Sequence, residues 1–327
     1  MEEVLRLFLH LQYWVHTPRV DYHISLINLI FVGLMVGVMT GFWGMGGRFL
    51  MIPLLNIFFN IPYNVAVGSD ICQMLGTSSM NLVRSKIMET VDYKLACWML
   101  LGAVSGVECG ARLLELLERA PDLVIMGLSL RILFWVMSVI YGFLLFWIGT
   151  ILYRESKVGY GRAKEPAGLT DLQLDVTARL QTVHLPPLIS LPASGILGVS
   201  LWVVLGVGFL SGLLVGFLGV GGSFLVLPAL IYILGCPMGV ARSTDLLGNF
   251  FMMGYGTFSH SLKGNIDLIL VIFLFLSSTL GKQIGTFSAK RFSASRVQRG
   301  FALAAFAVVL SLTLKFFRTL GLISFPF

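Results

Sequence analysis

Two aspartates lie where a mostly apolar chain tolerates charge least. Asp70 closes the triplet Gly68-Ser69-Asp70 and Asp245 closes Ser243-Thr244-Asp245. Each follows a proline (Pro62, Pro237) by about two turns of an expected helix. An ionisable side chain at such depth is a functional candidate by default: it can relay a proton, hold a coupling cation, or balance a basic neighbour such as Arg48 or Arg242. The plainer reading is a clamp, a carboxylate that accepts from backbone N–H groups and never meets a ligand. Arg48 is the second feature. It follows Gly44, Gly46 and Gly47 at the head of a short apolar run, and Ser223 holds the same place after Gly219, Gly221 and Gly222. Glycine permits close backbone approach and unusual φ. Broken backbone within a bilayer is tolerated only where it is buried in protein or lines a polar cavity. The free N–H groups at the start of the next helix attract anions. The six glycines are therefore expected to shape an anion site at which Arg48 and Ser223 donate. Asp70 and Asp245, with Gln73, Asn249 and Arg242, are expected to couple ion movement or stabilise the site. Tight packing through small residues, and an Arg48 that merely pairs with Asp70, are the competing structural readings.

The elements that must position these residues are one pattern written twice. Gly41-Phe42-Trp43-Gly44-Met45-Gly46-Gly47-Arg48-Phe49-Leu50-Met51-Ile52-Pro53 returns without a gap as Gly216-Phe217-Leu218-Gly219-Val220-Gly221-Gly222-Ser223-Phe224-Leu225-Val226-Leu227-Pro228, an offset of 175 residues. The same offset, carried over Gly33–Arg112 and Gly208–Phe287, sets Val65-Ala66 on Val240-Ala241, Asp92 on Asp267, Gly106 on Gly281 and Gly110 on Gly285. Apolar composition alone aligns Leu with Leu; it does not align Pro, Asp and Gly repeatedly. Each half reads as one helix, a glycine break, a short helix and three more helices. Apolar runs long enough to span a bilayer are Ile24–Phe42, Val65–Val83, Leu95–Leu116, Leu128–Tyr153, Ile196–Leu218, Val240–Ser259, Ile266–Thr286 and Phe301–Phe317. Phe49–Phe59 and Phe224–Leu234 are too short to cross and read as half-helices. Duplicated, glycine-broken segments of this kind point to the binding site of a secondary transporter, here where the two breaks converge.

Bulk composition agrees. Of 327 residues, 57% are hydrophobic and only 12% charged, against roughly a quarter charged in soluble domains. The expected class is an all-α polytopic membrane protein of two homologous repeats. Its organisation is a leader at 1–23, a first repeat at 24–153, a polar connector at 154–195 and a second repeat at 196–327. No small-residue cleavage site precedes Ile24, so the leader reads as interfacial or mobile. The net charge of +7 is spread over loops, which fits cytoplasmic loop charge and argues against nucleic acid. Arg154, Lys157, Arg162, Lys164 and Arg179 place the connector in the cytoplasm, as Lys290, Arg291, Arg296 and Arg299 place the last loop. The equivalent loop of the first half sets Arg112 and Arg119 against Glu115, Glu118 and Asp122. Inverted repeats are favoured on this contrast, with parallel halves the alternative. Cys72, Cys97, Cys109 and Cys236 lack metal-ligand spacing, and Cys236 would be reactive if exposed. Neither His-Glu-x-x-His nor Gly-x-Ser-x-Gly occurs, so neither enzyme, cofactor nor metal is expected. Glu108 and Arg112 read as an i,i+4 ion pair and Lys282 as an attractor of anions. Asp92 and Asp267 read as ordinary interfacial loop residues.

The paired Gly-x-Gly-Gly…Pro stretches, each followed by Pro…Val-Ala and an Asp in the next helix, resemble the sulfite exporter TauE/SafE family of membrane permeases. Ser259-His260-Ser261-Leu262-Lys263-Gly264-Asn265-Ile266-Asp267 is similar to a recurrent loop of that family. The resemblance covers Gly33–Arg112 and Gly208–Phe317. It implies a multi-pass transporter of the bacterial plasma membrane that moves sulfite, a sulfonate such as sulfoacetate, or a related organosulfur anion. An ion gradient of protons or sodium, and no ATP, would drive it; a homo-oligomeric assembly is left open. The alternative is a cation- or metal-coupled carrier in which Asp70 and Asp245 bind the transported ion. A third reading is a membrane sensor or scaffold that binds a partner through its charged connector.

Overall fold

The computed structural model describes residues 12–16, 21–43, 47–84, 90–125, 128–158, 186–191, 194, 196–289, 291 and 294–319. Helices dominate them. In chain order they are α1 (Leu26–Trp43), a 3-10 turn (Gly47–Leu50) leading into α2 (Met51–Phe59), α3 (Tyr63–Arg84), α4 (Tyr93–Arg119), α5 (Ile132–Val158), α6 (Leu201–Leu218), α7 (Ser223–Pro228) with a π-helical turn (Ala229–Ile233), α8 (Met238–Leu262), α9 (Leu268–Ala289) and α10 (Ala294–Thr319). Three small antiparallel ribbons accompany them: β1 (Gln12–His16) with β2 (Asp21–Ser25), β3 (Leu123–Ile125) with β4 (Leu128–Leu130), and β5 (Leu188–Leu191) with β6 (Ile196–Ser200). The ribbons shorten three expected helices at their N-terminal ends, so α1 begins at Leu26, α5 at Ile132 and α6 at Leu201. The first of them places strand residues within the segment read as a leader.

Both half-helices form, and they differ for a reason visible in the sequence. A 3-10 turn precedes α2, so Pro53 falls in the first α-helical turn, where its missing N–H breaks no bond. In the second copy the α-helix starts at Ser223 and Pro228 ends it. The missing donor and the bulk of the ring displace the ladder, and the chain continues as a π turn. Asn60 stops α2 with a left-handed φ of 52°, its N–H returning to the Asn56 carbonyl. Lys315 of α10 donates to Asn56 Oδ1 (3.0 Å) and Asn60 Oδ1 (2.8 Å) at the same end, a cation at a helix C-terminus.

The chain divides into two compact units that do not run end to end. The first is Met1–Gln73, Leu114–Arg162 and Lys263–Phe327; the second is Met74–Leu113 and Ala163–Leu262. The core of the first gathers Leu50, Leu55, Tyr63 and Tyr141, all buried, with the Tyr63 and Tyr141 rings stacked at 5.9 Å. The core of the second gathers Val204, Val215, Leu227, Leu230 and Met253.

Each unit contains a helix pair closed by glycines. In the first, α1 lies on α9: a Cβ added at Gly37 would sit 2.3 Å from the Ser278 carbonyl oxygen, and one at Gly281 2.3 Å from that of Leu34. In the second, α6 lies on α4: a Cβ at Gly212 would sit 2.1 Å from the Ala103 oxygen, and one at Gly106 2.1 Å from that of Phe209. Only glycine lets backbones meet at this distance. Every one of these contacts recurs at the offset of 175, since Gly212, Phe209, Ala103 and Gly106 stand where Gly37, Leu34, Ser278 and Gly281 stand. In both pairs a helix from one half of the sequence receives a helix from the other.

Among the described residues, four helical stretches are long and apolar enough to cross a membrane: Ile132–Arg154, Leu201–Leu218, Leu268–Ala289 and Gln298–Arg318. Along α9 an exposed stripe of Ile272, Leu276, Leu280 and Ile284 repeats every turn, and on α10 Leu303, Leu310 and Leu314 share one exposed face at spacings of seven and four. Such stripes need lipid or protein to cover them. α3, α4 and α8 are as long but carry more polar residues, many of which are buried inside the units, among them Ser69, Thr77, Ser243 and Thr244.

Candidate functional site

In the second unit the glycine break and the acidic helix meet. Gly219 caps α6 with φ 64°, its N–H returning to Val215 O at 2.8 Å. A side chain there would be strained, so this glycine is required by its conformation. Gly222 abuts α8, where a Cβ would touch Met252 Sδ at 2.9 Å and Asn249 Oδ1 at 3.5 Å. Gly221 lies beside Met74, 3.8 Å from a virtual Cβ to its sulfur. Ser223, the first residue of α7, sets its hydroxyl beside Asp245. Five expected site residues, Gly221, Gly222, Ser223, Asp245 and Asn249, thus sit together.

Asp245 is only 6% exposed, and its Oδ1 has no hydrogen-bond partner. Asn249 Oδ1, one turn further along α8, is likewise buried and unpartnered. Both residues line one cavity, with Thr244, Gly248 and Met252 from the same helix, Ala103 from α4 and Ser211 from α6. Arg242 does not join them. Its side chain is exposed while Ala241, Ser243, Thr244 and Asp245 are buried, and it makes no salt bridge among the described residues.

In the first unit the corresponding acid is partnered differently. Asp70, 1% exposed, attracts the guanidinium of Arg48 in the 3-10 turn. This is the pairing that the sequence offered as the structural reading of Arg48. Gln73 donates through Nε2 to Ser278 Oγ of α9, so it ties two helices together. Gly47 opens the 3-10 turn. Gly44 and Gly46 lie outside the described residues.

Two aspartates read as loop residues prove to be structural. Asp92 is 2% exposed and caps α4, accepting from Leu95 N at 3.0 Å; its own N–H donates to Thr244 Oγ1 at 3.1 Å. Ser194 donates to its other oxygen at 2.7 Å. Asp267 caps α9 through Leu270 N at 2.9 Å, and its N–H donates to Ser69 Oγ at 3.0 Å. Ser69 and Thr244 immediately precede the two buried acids, so each cap fixes the rotation of an Asp-bearing helix. An Asp just ahead of a helical run is an N-cap pattern; the reach to a distant hydroxyl has no local signal. Glu108 pairs with Arg112 at 2.8 Å, as the spacing predicts. It also accepts from Ser259 (2.7 Å) and Tyr255 (3.4 Å) of α8, which sequence spacing did not reveal. His260, fully buried, donates Nε2–H to Gly216 O at 3.0 Å. Cys236 is buried, which removes the exposure its reactivity required.

The profile of the sulfite exporter TauE/SafE family matches residues 29–312. This chain belongs to that family. Among TauE/SafE-like relatives, a "Probable membrane transporter protein YjnA" of Bacillus subtilis (strain 168) is 24% identical over 292 residues, covering 88% of this chain and 99% of the relative. A "Probable membrane transporter protein" of Xylella fastidiosa (strain 9a5c) is 26% identical over 292 residues, 88% of this chain and 94% of the relative. A further Bacillus subtilis relative, YunE, carries the same description at 22% identity over 268 residues. No solved structure matches the chain. With its apolar helices, membership of the TauE/SafE family makes this a multi-pass membrane transporter.

Proposed function

We propose that the protein is a secondary transporter of a small sulfur-containing anion, sulfite or a sulfonate such as sulfoacetate, across the bacterial plasma membrane. The observation that carries this reading is Arg48, which stands at the head of a half-helix directly after a glycine break in a chain of the TauE/SafE family. A guanidinium within the apolar zone is retained when it faces a cavity or a partner. Its planar fork matches the oxygens of a sulfonate or sulfite better than a lysine ammonium would. Asp70 holds the guanidinium between turnovers, and an anion that arrives competes with that carboxylate for it. The amides of the 3-10 turn from Gly47 and of α2 add a favourable field at the same place.

The test is uptake or efflux of labelled sulfite and sulfoacetate in proteoliposomes, with phosphate and chloride as competitors. Arg48→Ala is expected to lower the rate at least tenfold, and Arg48→Lys to recover only part of it. Undiminished transport in Arg48→Ala would remove the guanidinium from the anion path. Sulfur-anion transport that is absent under every imposed gradient would remove the substrate assignment.

A further inference from the structure

We propose that the cavity of the second unit is a binding site for one sodium ion, ligated by Asp245 Oδ1 and Asn249 Oδ1, whose energy drives the transporter. The coupling role rests on the transporter reading above; the ion site itself does not.

The two units differ at corresponding places. In the first, Asp70 faces an arginine. In the second, Ser223 stands at the position of Arg48 and supplies a hydroxyl but no charge. Asp245 is therefore a buried carboxylate without a cation among the described residues. Leaving it so is costly, because an unpaired ion loses its hydration on burial and an unmet hydrogen bond adds to that penalty. A second orphaned acceptor, Asn249 Oδ1, lies at i+4 on the same helix face. Neither oxygen can donate to the other. Both call for a cation or a donor between them.

The space for that body has its own origin in the sequence. In the first unit the side chain of Gln73 reaches Ser278 and fills the gap between α3 and α9. At the offset of 175, Gln73 becomes Gly248 and Ser278 becomes Ala103. Both of these line the cavity beside Asp245. The plug is missing where the counter-charge is missing too. What remains admits one body about the size of a water molecule.

Size and charge choose the occupant. A sulfur oxyanion is too large and would meet a carboxylate. Water would satisfy the orphaned oxygens and leave the charge unbalanced. A bare sodium ion is smaller than water and prefers hard oxygen ligands, as other hard cations do. Ser211 and Thr244 line the same cavity; their hydroxyl oxygens, already bonded to Gly208 O and Asp92 N–H, each keep a lone pair for an ion.

The experiment is thermal unfolding of the detergent-purified full chain with no sulfur anion present. Sodium chloride is titrated against potassium chloride and choline chloride at constant ionic strength and pH. The expected result is a saturable rise of several degrees with sodium, much smaller with potassium, because binding to the folded state alone raises its midpoint. Asp245→Asn should abolish the rise while Asp70→Asn keeps it. Restoring the plug with Gly248→Gln and Ala103→Ser together should also abolish it, and Asn249→Ala should weaken the apparent affinity at least tenfold. If Asp245→Asn does not fold, the plug variant and Asn249→Ala decide. Equal responses to sodium and potassium, or a sodium response that survives the plug, overturn the site. A midpoint that follows pH and ignores sodium overturns it in favour of a proton on Asp245. A sodium response without any sulfur-anion transport would leave the site standing and sink the substrate assignment instead.

Discussion

The capping aspartates carry the sharpest prediction at the scale of single residues. Asp92→Ala and Asp267→Ala each remove an N-cap, at a cost of about 0.5–2 kcal/mol. Asp92→Ala should be the more damaging of the two, since Ser194 loses its acceptor and the site is fully buried. Both should appear as lowered unfolding midpoints, and neither should change the ranking of anions in a binding or transport assay. A changed ranking would mean that the caps touch the ligand path. Much of this chemistry was legible beforehand. Asp70, Asp245, Arg48 and Ser223 stand out because charge and hydroxyls are rare in apolar runs, and the structure sets Arg48 near Asp70 and Ser223 near Asp245. The lock between Asp92 and Thr244 was not legible, because a bond across 152 residues leaves no trace in local spacing. The Gln73-to-Gly248 difference was visible in the repeat, but its meaning appears only once Ser278 and Ala103 are seen to face the same positions.

At the scale of elements, the paired helices α1–α9 and α4–α6 depend on absent side chains. A leucine at Gly37 or Gly212 must displace a carbonyl that already lies 2.3 or 2.1 Å from the first added carbon. Overpacking of this kind typically costs about 1–3 kcal/mol, and here the obstacle is backbone, which cannot rotate away. Gly37→Leu and Gly212→Leu are expected to lose most of the folded protein in fluorescence-detected size exclusion. Gly206→Ala and Gly142→Ala, where nothing lies within 4 Å of the added carbon, should behave as wild type. The spacing Gly33-Gly37-Gly41 and its copy Gly208-Gly212-Gly216 announce a packing face in the sequence. They do not name the partner. α1, α6 and α9 are apolar nearly all round, so hydrophobic periodicity picks out no inward side, and helix pairing is settled by contacts far apart in the chain. The π turn after Pro228 was equally hidden, since both copies carry the proline and only the start of the preceding helix differs.

At the scale of the whole molecule, each compact unit is assembled from both halves of the sequence. Among the described residues, neither half of the sequence supplies both members of either glycine-lined pair, since α1 needs α9 and α6 needs α4. A chain cut within the connector, with segments 1–162 and 163–327 expressed apart, should yield two protease-sensitive products. Co-expression of the two should restore folded, co-purifying protein. If either half alone proved stable, the pairing would be dispensable. The same arrangement has a consequence for how the protein is born. α1 ends at Trp43 and its partner begins at Leu268. At about 5–20 residues per second of synthesis, the first helix waits roughly 10–50 s for the surface it was shaped to meet. Throughout that interval a glycine-lined groove faces the bilayer or a temporary companion. A helix made early in synthesis is thus among the last to mature, and membrane quality control has its widest window on the half-made chain.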